Sequence, residues 1–228
     1  MKLNLVERRT EVPGVESFIF EPREPLNWKA GQYLHYVLHH EPTDDRGSDR
    51  WFTVASAPFE KCVQITTRIA PEKGSSFKAK LLSLMIGKSI EISVVEGDFV
   101  VDDFAQEYVF IAGGIGITPF HSILKEADHA GEKLHVTLLY ANRDERIVFK
   151  EELEGFSKNN PNLSIHYILA PERVDEFVIR KFVPDLLKPM FYISGPEPMV
   201  HALAGTVKAI GVQKENIKLD DFPGYPME

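Results

Sequence analysis

From Tyr108 to the C-terminal end, short apolar runs alternate with helical stretches of about twelve residues. This rhythm restricts the fold more than any other feature of the chain. Residues 108–112, 134–140, 163–169, 190–193 and 217–219 read as strands, and 118–129, 145–156 and 198–210 as helices. Residues 174–187 are irregular and partly helical in pattern. Short strands that are apolar throughout and separated by helices belong in a parallel sheet covered on both faces. A doubly wound α/β domain with a parallel sheet is therefore expected over residues 102–228.

Residues 1–101 follow a different rule. Residues 3–9, 16–21, 33–39, 51–56, 62–69 and 90–95 are short strand-like runs. Turn residues such as Pro22, Pro25 and Asn27 separate them, and the polar stretch 41–49 reads as a surface loop. One helix interrupts the strands at 76–84, with Ser75 or Ser76 as its cap. This pattern predicts a six-stranded antiparallel β-barrel with one helix. The rhythm changes near 101–107 without a low-complexity linker, so the two domains are expected to share a cleft.

Composition removes several classes of function. The formal net charge of −8 argues against a nucleic-acid partner, which needs a basic face. The single cysteine, Cys62, can neither ligate a four-cysteine cluster nor close an internal disulfide, so redox work requires an organic cofactor. No run approaches the roughly 20 apolar residues of a transmembrane segment. The first residues lack an apolar signal core, which makes the expected location cytoplasmic. His35, His39, His40, His121, His129 and His201 show no metal-ligand spacing, and no metal is expected.

Three segments carry chemistry. Strand 108–112 runs into Gly113-Gly114-Ile115-Gly116-Ile117-Thr118-Pro119 and then a helix. Glycine there permits positive φ and close backbone approach, and amides at a helix start favour phosphate. Thr118 is placed to cap that helix, and Pro119 suits its first turn. Position 119 is not glycine, so the segment departs from the G-x-G-x-x-G dinucleotide fingerprint. It reads either as a ligand loop or as a tight strand–helix turn. Ser194-Gly195-Pro196 follows another strand of the same sheet, at the end where open α/β sheets bind ligands. In the first half, Arg50-Trp51-Phe52-Thr53 combines a phosphate fork, aromatic faces and a hydroxyl. The other reading of that strand is a half-exposed one with its arginine in a salt bridge.

Together with Ser56, Pro58, Met199 and the preceding Gly31-Gln32-Tyr33, these segments make the chain resemble the ferredoxin–NADP reductase family of flavoproteins. The resemblance spans nearly the whole chain and rests on the order and spacing of the motifs. It implies a barrel that binds FAD, with FMN less favoured, and an α/β domain that binds NADH or NADPH. By position, Arg50 would bind the flavin phosphate, Phe52, beside Trp51, would pack on the ring, and Thr53 would bond near N5. Gly74, Ser75 and Ser76 would hold the flavin phosphates, and Thr67, Arg68 and Ile69 the flavin tail. Gly114, Thr118, Pro119, Gly195 and Pro196 would line the nicotinamide nucleotide. Ser194 stands where the family often has cysteine beside the hydride-transfer site, and Phe222 or Tyr225 would shield the other ring face. Arg143, supported by Arg173, would favour a 2′-phosphate, whereas Asp144 would favour a free ribose hydroxyl.

The activity implied is hydride transfer between NAD(P)H and flavin N5, with Thr53, Ser194 and Tyr225 at the reacting centre. Electrons would then pass to an external acceptor such as ferredoxin, flavodoxin or a small molecule. The alternative is a nucleotide- and flavin-binding relay or regulatory subunit with little turnover alone.

Overall fold

The computed structural model describes residues 1–70 and 74–222. The chain divides into two compact units, Met1–Val100 and Val101–Glu228.

The first unit is a six-stranded sheet. Its strands are β1 (Lys2–Val12), β2 (Val15–Pro22), β3 (Tyr33–Val37), β4 (Asp49–Thr53), β5 (Val63–Arg68) and β6 (Ser89–Glu96). Their spatial order is β4-β3-β6-β1-β2-β5, and each neighbouring pair is antiparallel. Alternation turns Leu3, Leu5, Phe18, Phe20, Leu34, Tyr36 and Ile65 inward, all at 0% exposure. Helix α1 (Ser76–Leu82) adds Phe77 and Leu81 to that core. Burying one such side chain contributes about 1.5–3 kcal/mol. An exposed pair such as Lys2–Glu91 contributes about 0–1 kcal/mol, so the apolar face decides the register.

Strand β4 ends at Thr53, short of the expected 51–56 run. Val54 N–H donates to Gln32 O at 3.0 Å, and Ala55 N–H crosses to Gln64 O on β5 at 2.9 Å. The chain thus leaves β3 and bridges the two edge strands, which curls the sheet into a half-barrel.

The second unit holds β7 (Glu107–Gly113), β8 (His135–Asn142), β9 (Leu163–Leu169), β10 (Met190–Pro196) and β11 (Ile217–Phe222), all parallel, in the order β11-β10-β7-β8-β9. Between them run α2 (Thr118–Ala130), α3 (Lys150–Asn159), α4 (Glu176–Phe182) and α5 (Glu197–Ala209). Val109, Ile111, Phe191 and Ile193 join α4 and α5 in one core cluster through Val178, Ile179, Val200 and Val207. Phe110 stacks on Phe120 of α2 at 4.6 Å between centroids. Both faces of the sheet are therefore covered, as uniformly apolar strands require. The third helix starts at Lys150 rather than at 145. Ile147, Val148 and Phe149 are buried there as an irregular segment, and Phe149 has φ 60, which ends any helical continuity before it. Among the described residues, no helix is long and apolar enough to cross a membrane.

Candidate functional site

The strand order reverses between β7 and β10. Chain leaving β7 passes through α2 to β8 on one side, while β10 lies on the other. Such a switch point opens a crevice at the carboxyl ends of the two strands. Residues 113–118 and 194–196 lie at those ends, with Ser194 paired to Ala112 in register.

The two loops touch through glycine. A Cβ added at Gly116 would run into the Ser194 carbonyl oxygen and come within 2.7 Å of Gly195 Cα. A Cβ added at Gly113 would run into Met199 Sδ and approach Pro196 Cδ to 3.3 Å. Gly114 has φ 53 and opens a 3₁₀ turn, Gly114–Ile117, that leads directly into α2. Its carbonyl accepts a 3.0 Å hydrogen bond from the Tyr140 hydroxyl, which fixes the turn to β8. Both readings of this segment thus have a physical basis: the glycines permit a tight turn, and the turn delivers a helix start to the crevice.

Thr118 does not cap α2. The 3₁₀ turn has already begun the coil, so its Oγ1 donates back to Ile115 O at 3.2 Å, and the capping position falls on Ile117. Neither α2 nor α5 has a side-chain cap, and Pro119 and Pro198 occupy their first turns. Their leading amides face the carboxyl ends of β7 and β10, where an anionic group is favoured.

Ser194 is fully buried, and its Oγ donates to Asp220 Oδ2 at 2.9 Å. β10 and β11 run side by side with Ser194 opposite Asp220 and Pro196 opposite Phe222. Asp220 is part-exposed as a residue, but its carboxyl end is shielded from water. Burial raises its pKa to about 6, the Ser194 hydroxyl works against that rise, and Asp221 adds to it. The apolar pattern ends this strand at 219 and gives no sign of Asp220, which the register of β10 and β11 brings beside Ser194. Phe222 closes β11 half-buried, and Tyr225 lies outside the described residues.

Arg143 is exposed just beyond β8. Asp144 forms an ion pair with Arg146, whose Nε lies 3.0 Å from its carboxylate, so the acid already has a cationic partner.

In the first unit, Arg50 Nη1 donates to Arg46 O at 2.8 Å and Gly47 O at 3.2 Å, while Nη2 donates to Asp44 Oδ1 at 3.1 Å. The salt-bridge reading of this arginine is therefore realised, with a partner from the loop that the sequence pattern marks as surface. Asp44 Oδ2 also accepts from Ser76 N–H at 2.8 Å, and Ser76 Oγ accepts from Asp44 N–H at 3.0 Å. Burial works to raise the Asp44 pKa, but the Ser76 and Arg46 amides and the Arg50 charge hold it down at about 2. Ser75 Oγ caps α1 by accepting from Lys78 N–H at 3.3 Å. A Cβ on Gly74 would meet Ala70 O at 2.5 Å, so only glycine fits that approach.

Phe52 lies between Tyr36 and Phe77, 5.8 Å from each ring centre. Trp51 points to the opposite face, 46% exposed, against Tyr33 and His35. The two aromatics therefore do not share one stacking surface. Thr53 is buried opposite Tyr33. On edge strand β5, Thr67 is buried opposite Glu16, Arg68 lies opposite Val15, and Ile69 N–H is taken up by Gly14 O at 2.9 Å. Gln64 faces the other way, giving its carbonyl to Ala55 and its amide to Ser56. Strand alternation then puts the backbone groups of Thr66 and Arg68, rather than those of Thr67 and Ile69, on the free edge. The Arg68 carbonyl accepts there from Lys78 Nζ at 3.2 Å.

The residues present suit a flavin phosphate in one respect that can be read directly. The Asp44 carboxylate sits as a resident oxyanion on Arg50 and the Ser76 amide, so these groups already donate to negatively charged oxygen.

Residues 110–204 match the family model "Oxidoreductase NAD-binding domain". The chain is 30% identical over 223 residues to the F subunit of the Na(+)-translocating NADH-quinone reductase of Klebsiella pneumoniae, covering 87% of this chain and 54% of the relative. It thus spans about half the length of such curated relatives. Among solved structures, the FAD/NAD-binding domain of nitric oxide dioxygenase from Vibrio cholerae superposes with TM-score 0.84 at 21% identity, over 97% of this chain and 98% of that one. Ferredoxin–NADP+ reductase from Plasmodium falciparum gives TM-score 0.80 at 18% identity, over 97% and 95%. These two are likenesses of fold. The chain thus has the fold of these two FAD- or NADP-linked structures, and its residues 110–204 match an oxidoreductase NAD-binding domain.

Proposed function

We propose that the chain is an FAD-dependent oxidoreductase that takes hydride from NADH or NADPH and passes electrons to an external acceptor. That acceptor is a carrier protein such as ferredoxin or flavodoxin, or a small molecule. The observation that carries the reading is the meeting of residues 113–118 and 194–196 at the switch point, inside the segment that matches an NAD-binding domain.

When bound, flavin supplies a ring nitrogen, N5, that accepts hydride from nicotinamide C4. The chain's own work is placement and electrostatics. Arg50 and the Ser76 amide hold flavin phosphate, and FAD is favoured over FMN because the Gly74–Ser76 turn serves a second one. Phe52 packs on the ring, and Thr53 offers its hydroxyl beside it. The uncapped starts of α2 and α5 receive the nucleotide phosphates. Ser194, buried behind the crevice, holds Asp220 in place there. An ionised Asp220 would favour the positive charge that a bound nicotinamide ring carries in its oxidised form.

The test is direct. Protein purified with its cofactor, or reconstituted with FAD, is heated to release the flavin, which is identified by chromatography. Oxidation of NADH and NADPH is then followed with ferricyanide as acceptor. A second reading is favoured by the relatives, in which a segment of this length forms about half of a larger chain. On that reading the chain is a relay that binds flavin and nucleotide but turns over slowly with free acceptors. Fast reduction of the flavin with negligible ferricyanide turnover would select the relay.

A further inference from the structure

Resting on the reading that Arg50 and Ser76 serve a flavin phosphate, we propose that Asp44 is an internal competitor for that phosphate, which flavin must displace on binding. Asp44 lies in the loop between β3 and β4, and one carboxylate holds both donors that the reading requires. Its Oδ1 accepts from Arg50 Nη2 at 3.1 Å, and its Oδ2 accepts from Ser76 N–H at 2.8 Å. It also accepts from Arg46 N–H at 3.0 Å.

The loop is tied down on both sides of this contact. Asp44 N–H donates to Ser76 Oγ at 3.0 Å, so Asp44 and Ser76 make a reciprocal pair. Arg50 Nη1 is turned into the loop's own carbonyls at Arg46 and Gly47. A bidentate grip on an incoming phosphate therefore needs at least one of these contacts to open. Asp44 and Arg50 side chains remain 23% and 15% exposed, so the pair sits at the surface, where a ligand can reach it. The low pKa of Asp44 keeps it ionised across the working pH range, so protonation does not relieve the competition.

The arrangement gives the loop two roles. Asp44 supplies the anion that Arg50 and the Ser76 amide face together. In the loaded chain the released loop, 41–49, is free to move. A ligand that lacks phosphate gains nothing from removing Asp44, and this separates competition from a general effect on the fold.

The experiment uses the whole chain as apoprotein with Asp44→Asn, titrated by fluorescence with FAD, FMN and riboflavin. Competition predicts that FAD and FMN bind about tenfold more tightly to the variant, with riboflavin changed by less than about twofold. Unchanged or weaker FAD and FMN binding overturns the proposal, and a weaker value would mean that Asp44 positions Arg50. A wild-type measurement guards against a variant that folds poorly. Amide exchange in a peptide covering residues 41–49 should speed up when FAD is added, because the Asp44 N–H loses Ser76; added protection overturns the proposal. If neither protein binds any flavin, the flavin reading itself falls, and this inference falls with it. If both bind FAD equally, only the role of Asp44 is lost.

Discussion

Ser194 on β10 and Asp220 on β11 stand side by side, and the serine hydroxyl donates to the aspartate carboxylate at 2.9 Å. The hydroxyl favours the ionised acid, while burial favours the neutral one. Removing the hydroxyl therefore moves Asp220 further up. Ser194→Ala should raise the acidic limb of the pH profile for flavin reduction by about one unit. It should also slow hydride transfer at neutral pH with flavin content unchanged. Stopped-flow reduction across pH 5–9 measures both, and a profile that coincides with wild type would remove Ser194 from the reacting centre.

Asp220 also makes stability depend on pH, and the sign is fixed. Its folded pKa of about 6 lies above the ordinary value of 3.8, so the folded chain holds the proton more tightly. Below about 4 both states are protonated and the group costs nothing; as pH rises through 6 the folded state loses stability. The shift corresponds to about 3 kcal/mol. Asp220→Asn should therefore be more stable than wild type above pH 7, with the difference vanishing near pH 4. Urea unfolding at pH 4 and pH 8 checks this; equal differences at both would show that Asp220 does not titrate in this range.

Arg50→Ala should weaken FAD binding by tenfold or more while changing folding stability by only about 1 kcal/mol. Its ion pair with Asp44 is partly exposed, so its loss is screened. Flavin occupancy after gel filtration, set beside the urea midpoint, separates the two effects. Full occupancy with a large loss of stability would reverse the assignment.

The two loop glycines should respond differently to alanine. At Gly116 the new Cβ meets backbone, at the Ser194 carbonyl, and backbone cannot step aside. At Gly113 it meets the flexible end of Met199 and the Pro196 ring edge at 3.3 Å. Gly116→Ala should cost about 2–3 kcal/mol and displace Ser194, lowering nicotinamide affinity. Gly113→Ala should cost less, and Met199→Ala should relieve part of it. Thermal melts of the three variants and the double mutant test the order.

The parallel half of the fold is legible in the sequence because strands such as 108–112 are apolar on both faces and lie between regular helical repeats. The barrel is legible from alternation at Phe18 and Phe20. Pattern and structure part where tertiary contacts override local preference. The third helix reads from 145 because Ile147, Val148 and Phe149 are apolar, yet they fill the core as irregular chain. β4 reads to 56 because nothing in the sequence says that Val54 and Ala55 turn to Gln32 and Gln64. The partners of the site are hidden for the same reason. Asp44 looks like one more charge in a polar loop, although Ser76, 32 residues away, holds it. Asp220 looks like the end of a strand until β10 brings Ser194 beside it. Residue type shows which side chains could bind; their pairing depends on register and sheet order.

The most direct test of the central claim is anaerobic reduction of the FAD-loaded protein, followed by absorbance after mixing with NADH or NADPH carrying hydrogen or deuterium at C4. Stoichiometric bleaching of the flavin is predicted, slower with the deuterated nucleotide because the C4 bond breaks in the observed step. A flavin-loaded protein that stays oxidised with both nucleotides would contradict it.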